Sequence, residues 1–158
     1  MDASYINPVV QGTQRVCASV FKETPTLGKV YVKERPYTTS PVTVSIDIIG
    51  AFKGEIVYNM EESTGCFIAS MMMQGMPVPS LDDMMAQSSL GELANIVSGN
   101  VATIFAGKGI LVDIRPPRFK FNATEADFPM AALVNKIICV PLHFQNGHVF
   151  QVDIIIPG

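Results

Sequence analysis

The sequence predicts an α+β fold: one antiparallel sheet with long helices packed on one face and a pseudo-two-fold internal repeat. Three observations predict it. Several short segments alternate apolar and polar residues and are bounded by glycine or proline. Three longer segments carry apolar residues at helical spacing. Two stretches of the chain resemble each other, so each half reads helix, strand, glycine hairpin.

The elements follow in order. Residues 3–22 are predicted helical from Ile6, Val9, Val10, Val16, Val20 and Phe21, with Pro8 tolerable only in the first turns. Gly28 to Arg35 alternates and reads as a strand, as does Thr43 to Gly50, with Gly54 to Met60 as its hairpin partner. Residues 61–74 form a second helix, rich in methionine. Ser80 is the expected N-cap of a third helix running to about Ala106, with Asp82 and Asp83 suited to its positive end and Gly107 and Gly109 closing it. Ile110 to Arg115 is a strand stopped by Pro116-Pro117, and 118–129 reads as a short strand and then a loop.

Lys136 to Gln145 and His148 to Ile156 flank Asn146-Gly147, a strong hairpin signal. A register that keeps one face apolar pairs Phe144 with Phe150, Leu142 with Val152, Val140 with Ile154 and Ile138 with Ile156. It calls for a three-residue turn with Gly147 left-handed. Pro141 marks an edge strand or a local break in pairing.

The repeat rests on Cys17-Ala18-Ser19-Val20-Phe21 against Val101-Ala102-Thr103-Ile104-Phe105. Each is followed by a strand ending in proline, VYVKERP and ILVDIRP. Phe52-Lys53-Gly54-Glu55-Ile56 then matches Gln145-Asn146-Gly147-His148-Val149. Chance likeness between short apolar segments is the alternative.

A chain of 158 residues fits a single domain, 1–158. Charged residues are 16% against roughly 25% in average soluble proteins. With 48% hydrophobic residues this excludes disorder, and it suggests that a second chain covers part of the surface. A net charge of −3 argues against nucleic acid as the main partner. The charge-free runs, Gly65 to Leu81 and Leu93 to Gly107, are too short or too interrupted to span a membrane. The start, MDASYINPVV, lacks a secretory signal's basic region. Cys17, Cys66 and Cys139 are far apart and read as buried free thiols in a reducing cytoplasm. His143 and His148 lack a third metal ligand and read as solvent-side strand residues. Met71 to Met73, Met76, Met84 and Met85 suit a helix-binding groove or, better, core filling.

The third helix carries the most informative pattern. Leu90, Leu93, Val97, Val101 and Ile104 fall on one side, expected against the sheet. The other side carries Ser88, Glu92, Asn95, Gly99, Ala102 and Ala106. Glu92 and Asn95 are three apart, so their side chains are neighbours. Around them Gly91, Gly99 and Ala102 leave the backbone almost bare. Such a face suits either a partner surface coming close or another helix crossing there.

Ser88-x-x-x-Glu92-x-x-Asn95, continuing as LANIVSGN, resembles the signature of the chemotaxis phosphatases CheX, CheC and FliY. The opening YINPVVQGTQRVCASVF, the segment GAFKGEIVYNMEESTGCFIASMMM and the closing hairpin QNGHVFQVDIIIPG resemble CheX-type chains too. The family's downstream proline is displaced: its usual spacing falls on Arg118, just after Pro116 and Pro117.

The resemblance implies a phosphatase acting on the phospho-aspartate of a CheY-type response regulator. It implies that Asn95 orients the attacking water and that Glu92 pairs with a regulator lysine. Ser88, Gly91 and Gly99 would then meet the partner. No cofactor of its own is implied, since Mg²⁺ belongs to the regulator. The first helix holds Pro8 and Gln11 where a second motif would sit, so one site per chain is expected. That is the CheX-like pattern, and the resemblance then implies a homodimer. The rival readings are an adaptor that binds a phospho-regulator without hydrolysing it, and a structural dimer with no phospho-partner.

Overall fold

The alternating segments pair into one sheet. A computed structural model describes residues 3–157; residues 1, 2 and 158, the ends of the span read as one domain, lie outside the described residues. The elements are α1 (Ala3–Phe21), β1 (Thr26–Leu27), β2 (Tyr31–Glu34), β3 (Val42–Gly50), β4 (Gly54–Met60), α2 (Glu62–Met72), α3 (Met84–Gly107), β5 (Val112–Ile114), β6 (Arg118–Phe121), β7 (Lys136–His143) and β8 (Val149–Ile155). The order is β1-β7-β8-β4-β3-β5, with β2 also on β7 and β6 also on β3. Every pairing is antiparallel.

The helices share one face of this sheet. Val44, Ile46, Ile56, Tyr58, Val140, Leu142, Val152 and Ile154 point toward them and meet Val9, Ile68, Leu93, Val97 and Phe105. The opposite face has a smaller cover, built by the loop after β2 and two 3₁₀ turns, Glu125–Asp127 and Pro129–Leu133. There Tyr37, Val57, Phe128, Ala131, Ile137 and Ile155 form a second cluster. The central strand β4 is therefore buried on both faces.

Burial on both faces forces its polar residues to find partners. One oxygen of the fully buried Asp153 in β8 accepts from Lys33 Nζ (2.8 Å), Tyr37 Oη (2.6 Å) and Asn59 Nδ2 (3.1 Å). These donors come from β2, the following loop and β4, so a single carboxylate ties together strands from both sides of β8. Burial and this neighbouring carboxylate both push the Tyr37 phenol upward.

The closing hairpin keeps the expected face but not the expected pairs. Leu142 faces Phe150, Val140 faces Val152 and Ile138 faces Ile154. The shift is by two residues, which conserves the apolar face because the side-chain period is two. The turn is Gln145-Asn146-Gly147, closed by Phe144 N–H to His148 O (2.9 Å), with Gly147 at φ +92°. Pro141 is not on an edge, because β7 is flanked by β8 on one side and by β1 and β2 on the other. The break in pairing is real: Pro141 lies opposite the gap between β1 and β2, where its carbonyl accepts from Gly28 N–H (2.8 Å).

α3 starts later than expected. Asp83, not Ser80, is the N-cap, its Oδ1 accepting from Met85 N–H (2.8 Å). Leu81 is fully buried beside Gly65 of α2, and that anchor holds the preceding residues in a turn. His148 is not a plain solvent-side residue either. Its ring stacks on Phe67 (centroids 4.9 Å apart) and its Nδ1 bonds Thr64 Oγ1 (2.8 Å). Nor do all the methionines fill the core: Met71 and Met72 pack against it, whereas Met76, Met84 and Met85 are exposed. Cys17 and Cys139 are buried free thiols as expected, with burial pushing each up to about 12, while Cys66 is only half-buried.

Candidate functional site

α3 divides as its sequence requires. Leu90, Leu93, Val97 and Val101 are buried, with Ala94 and Ser98 beside them. Ile104 is only half-buried, and Phe105 takes the core position at that end. A glycine of α1 allows the close crossing: a Cβ on Gly12 would lie 2.6 Å from Val101 Cγ2. This crossing is on the buried side of α3.

The other side of α3 is open. Ser88, Glu92 and Asn95 are exposed, and Gly91, Gly99 and Ala102 are half-buried. A Cβ on Gly99 would meet nothing within 4 Å among the described residues. Among the same residues, a Cβ on Gly91 would meet only Pro117 Cγ, at 3.5 Å. Among the described residues the bare stripe is therefore not a helix crossing.

Gly91 faces a wall supplied by the sheet. β5 and β6 both pair with β3, Ile114 opposite Ile48 and Arg118 opposite Ser45. Three residues, Arg115, Pro116 and Pro117, thus stand opposite two, Ile46 and Asp47. That is a β-bulge, and it suits a Pro-Pro pair that has no N–H to give the ladder. The bulge carries Pro117 against α3, and Phe119 follows it. Between this wall and the helix lies an open depression of about 410 Å³, floored by Gly91, Glu92 and Asn95 and rimmed by Met84, Gln87 and Ser88.

The chemistry available here is sparse. Glu92 is the one charged residue lining the depression among the described residues. Neither Glu92 nor Asn95 has a recorded side-chain partner among the described residues. Their hydrogen-bonding capacity is thus directed outward. A lone carboxylate and a lone amide beside an apolar wall can dock a cation and hold a water. No group of three or more potential metal ligands occurs among the described residues.

Four of the five expected site residues, Ser88, Gly91, Glu92 and Asn95, line this depression, while Gly99 lies one turn farther along the same face. Sequence reasoning did not assign Pro117, Phe119, Gln87 or Met84. The signals for Pro117 were the Pro-Pro stop after β5 and the displaced downstream proline of the sequence pattern. Phe119 gave none, because a short strand read without its register shows no facing.

The family described as chemotaxis phosphatase CheX matches residues 42–137. A relative from Thermotoga maritima, named CheY-P phosphatase CheX, is 30% identical over 117 residues, 74% of this chain and 75% of that protein. Among solved structures, a CheX-CheY-BeF3-Mg²⁺ complex from Borrelia burgdorferi contains a chain matching at TM-score 0.81 and 25% identity, over 98% of each chain. The chemotaxis protein CheX from Desulfovibrio desulfuricans shares the fold at TM-score 0.79 and 18% identity, over 97% of this chain and 99% of that one. Profile, relative and fold agree: this chain belongs to the CheX family of chemotaxis phosphatases.

Proposed function

We propose that the exposed face of α3 hydrolyses the phospho-aspartate of a CheY-type response regulator. The observation that carries this reading is the outward pair Glu92 and Asn95, one helical turn apart on a nearly bare backbone beside the Pro117–Phe119 wall. It is supported by membership of the CheX family and by the regulator in the Borrelia burgdorferi complex.

An acyl phosphate asks little of a catalyst. Its leaving group is a carboxylate, so no general acid is needed. The nucleophile is water, and the reaction waits on its alignment opposite the phosphorus–acyl oxygen bond. The Asn95 amide accepts with its oxygen and donates with its nitrogen, so it can hold a water in one orientation. Water attacks phosphorus, the acyl P–O bond breaks, and the aspartate leaves as its carboxylate with inorganic phosphate as product. Glu92 pairs with a lysine of the regulator and sets the register of the two surfaces. Gly91 and Gly99 permit close approach, and Ser88 meets the partner at the rim. A dephosphorylation assay against CheY-type regulators of the same genome tests this. Faster loss of phosphate supports it; binding without acceleration would point to an adaptor.

Mg²⁺ bound on the regulator neutralises phosphoryl oxygens there. Chelating Mg²⁺ is expected to abolish turnover, while metal analysis of the isolated chain finds nothing stoichiometric. A tightly bound zinc in the isolated chain would contradict this assignment. No helix among the described residues is long and apolar enough to cross a membrane. Three free thiols fit a cytoplasmic setting beside the regulator.

We also propose that the protein is a homodimer. Leu27, Val30, Tyr31 and Val32 are exposed together along the β1–β2 edge, and an apolar edge invites pairing. Light scattering at micromolar concentration is expected to give twice 17.1 kDa. A persistent monomer would refute it.

A further inference from the structure

The wall of the site is fastened from behind. Arg118 opens β6, and its side chain lies on the sheet face away from the helices, where it joins two carboxylates. Nη1 bonds Asp47 Oδ2 of β3 (2.9 Å), and Nη2 bonds Glu55 Oε2 of β4 (2.6 Å). The backbone carbonyl of the same Asp47 accepts from Arg115 N–H (3.0 Å). Asp47 therefore grips both ends of the Pro116-Pro117 bulge, whose own nitrogens cannot donate. Without these links the bulge has little to fix it, yet it carries the Pro117 side chain, which with Phe119 of β6 lines the depression beside Gly91 and Asn95.

From this arrangement we propose that Arg118, clamped by Asp47 and Glu55, is a positioning residue that sets the Pro117–Phe119 wall for the docking regulator. The proposal rests on the function assigned above. Stability alone accounts poorly for the clamp. Glu55 is only 1% exposed and its Oε1 has no partner among the described residues. Burial raises its carboxyl from the ordinary range to about 7, outweighing the opposing pull of Arg118. The folded value lies above the unfolded one, so the folded chain holds the extra proton between them, and stability falls as pH rises through that window. Ionised Glu55 is thus a cost to the fold, retained where it secures the bulge. The groups that face it are Asp47 from β3, Arg118 from β6 and the Tyr37 phenol from the loop after β2. From β8 its cross-strand neighbour is the apolar Ile155, with Asp153 two residues away on the same face.

The test measures kcat and KM on a CheY-type regulator phosphorylated with acetyl phosphate in excess Mg²⁺. The full chain is compared with Arg118→Met, Arg118→Lys and Glu55→Gln between pH 6 and 8, with folding checked by circular dichroism. Arg118→Met is expected to raise KM on the order of tenfold at pH 8, with kcat within about threefold. Arg118→Lys should recover part of this, since a point charge meets one carboxylate and not both. The parent's KM should rise as pH falls through about 7, where Glu55 takes up a proton and releases Arg118. Glu55→Gln should hold the raised KM at every pH. If Arg118→Met fails to fold, the lysine and glutamine variants carry the comparison. An active parent whose KM is untouched in folded Arg118→Met, or whose pH dependence survives in Glu55→Gln, overturns the clamp alone. A parent that does not accelerate dephosphorylation overturns the clamp together with the assigned function.

Discussion

Asn95→Ala is expected to lower kcat on the order of 10²-fold, the loss typical of removing one preorganised hydrogen-bonding group. Binding to the beryllofluoride form of the regulator should be largely kept, because the role proposed for the amide is to hold a water aligned in the transition state. Glu92→Ala should behave differently, weakening binding through loss of the proposed charge pair with a regulator lysine, and making the remaining activity less salt-sensitive. Neither change should unfold the protein. Both residues are exposed on α3, and neither has a recorded side-chain partner among the described residues. Thermal melts that superimpose on the parent's would check this. A loss of several kcal/mol in Asn95→Ala would make it a packing residue and remove it from the site.

The largest stability effect is expected on the sheet face away from the helices. Asp153→Ala removes the acceptor shared by Lys33, Tyr37 and Asn59. Tyr37 and Asn59 are buried and the Lys33 side chain nearly so, leaving three donors with little water to turn to. Breaking a buried charge pair by removing one member costs about 3–5 kcal/mol. That is a large share of the roughly 5–15 kcal/mol that holds a domain together. Urea denaturation of the parent and Asp153→Ala measures it directly. A loss below about 1 kcal/mol would show that these donors find other partners.

Much of this architecture was legible in the residues. The alternation of Val44, Ile46 and Ile48, the helical stripe from Leu90 to Val101, and Asn146-Gly147 between two apolar runs each describe local geometry. Local geometry is what periodicity encodes. The hairpin's face was legible for the same reason, whereas its pairs were not, since shifting by two residues leaves the apolar face unchanged. The start of α3 was not legible: Ser80 is the expected cap, but Leu81 enters the core and the helix is capped by Asp83 instead. The Glu92–Asn95 pair could be placed on one helix face from spacing alone. Its wall could not. Pro117 reaches Gly91 through a bulge defined by the pairing of two distant strands, and the Arg118–Glu55 contact joins residues 63 apart in the chain. Such contacts depend on register, which no single segment contains.

The claim that the α3 face speeds release of the phosphoryl group is tested most directly by one single-turnover experiment. A CheY-type regulator carrying radiolabelled phospho-aspartate is mixed with saturating parent protein or saturating Asn95→Ala in Mg²⁺, and label remaining on the regulator is followed with time. The parent is expected to hasten the decay well beyond the regulator's own rate, while Asn95→Ala, bound to the same extent, leaves it close to that rate. Equal acceleration by the two proteins, or none by the parent, would contradict the account.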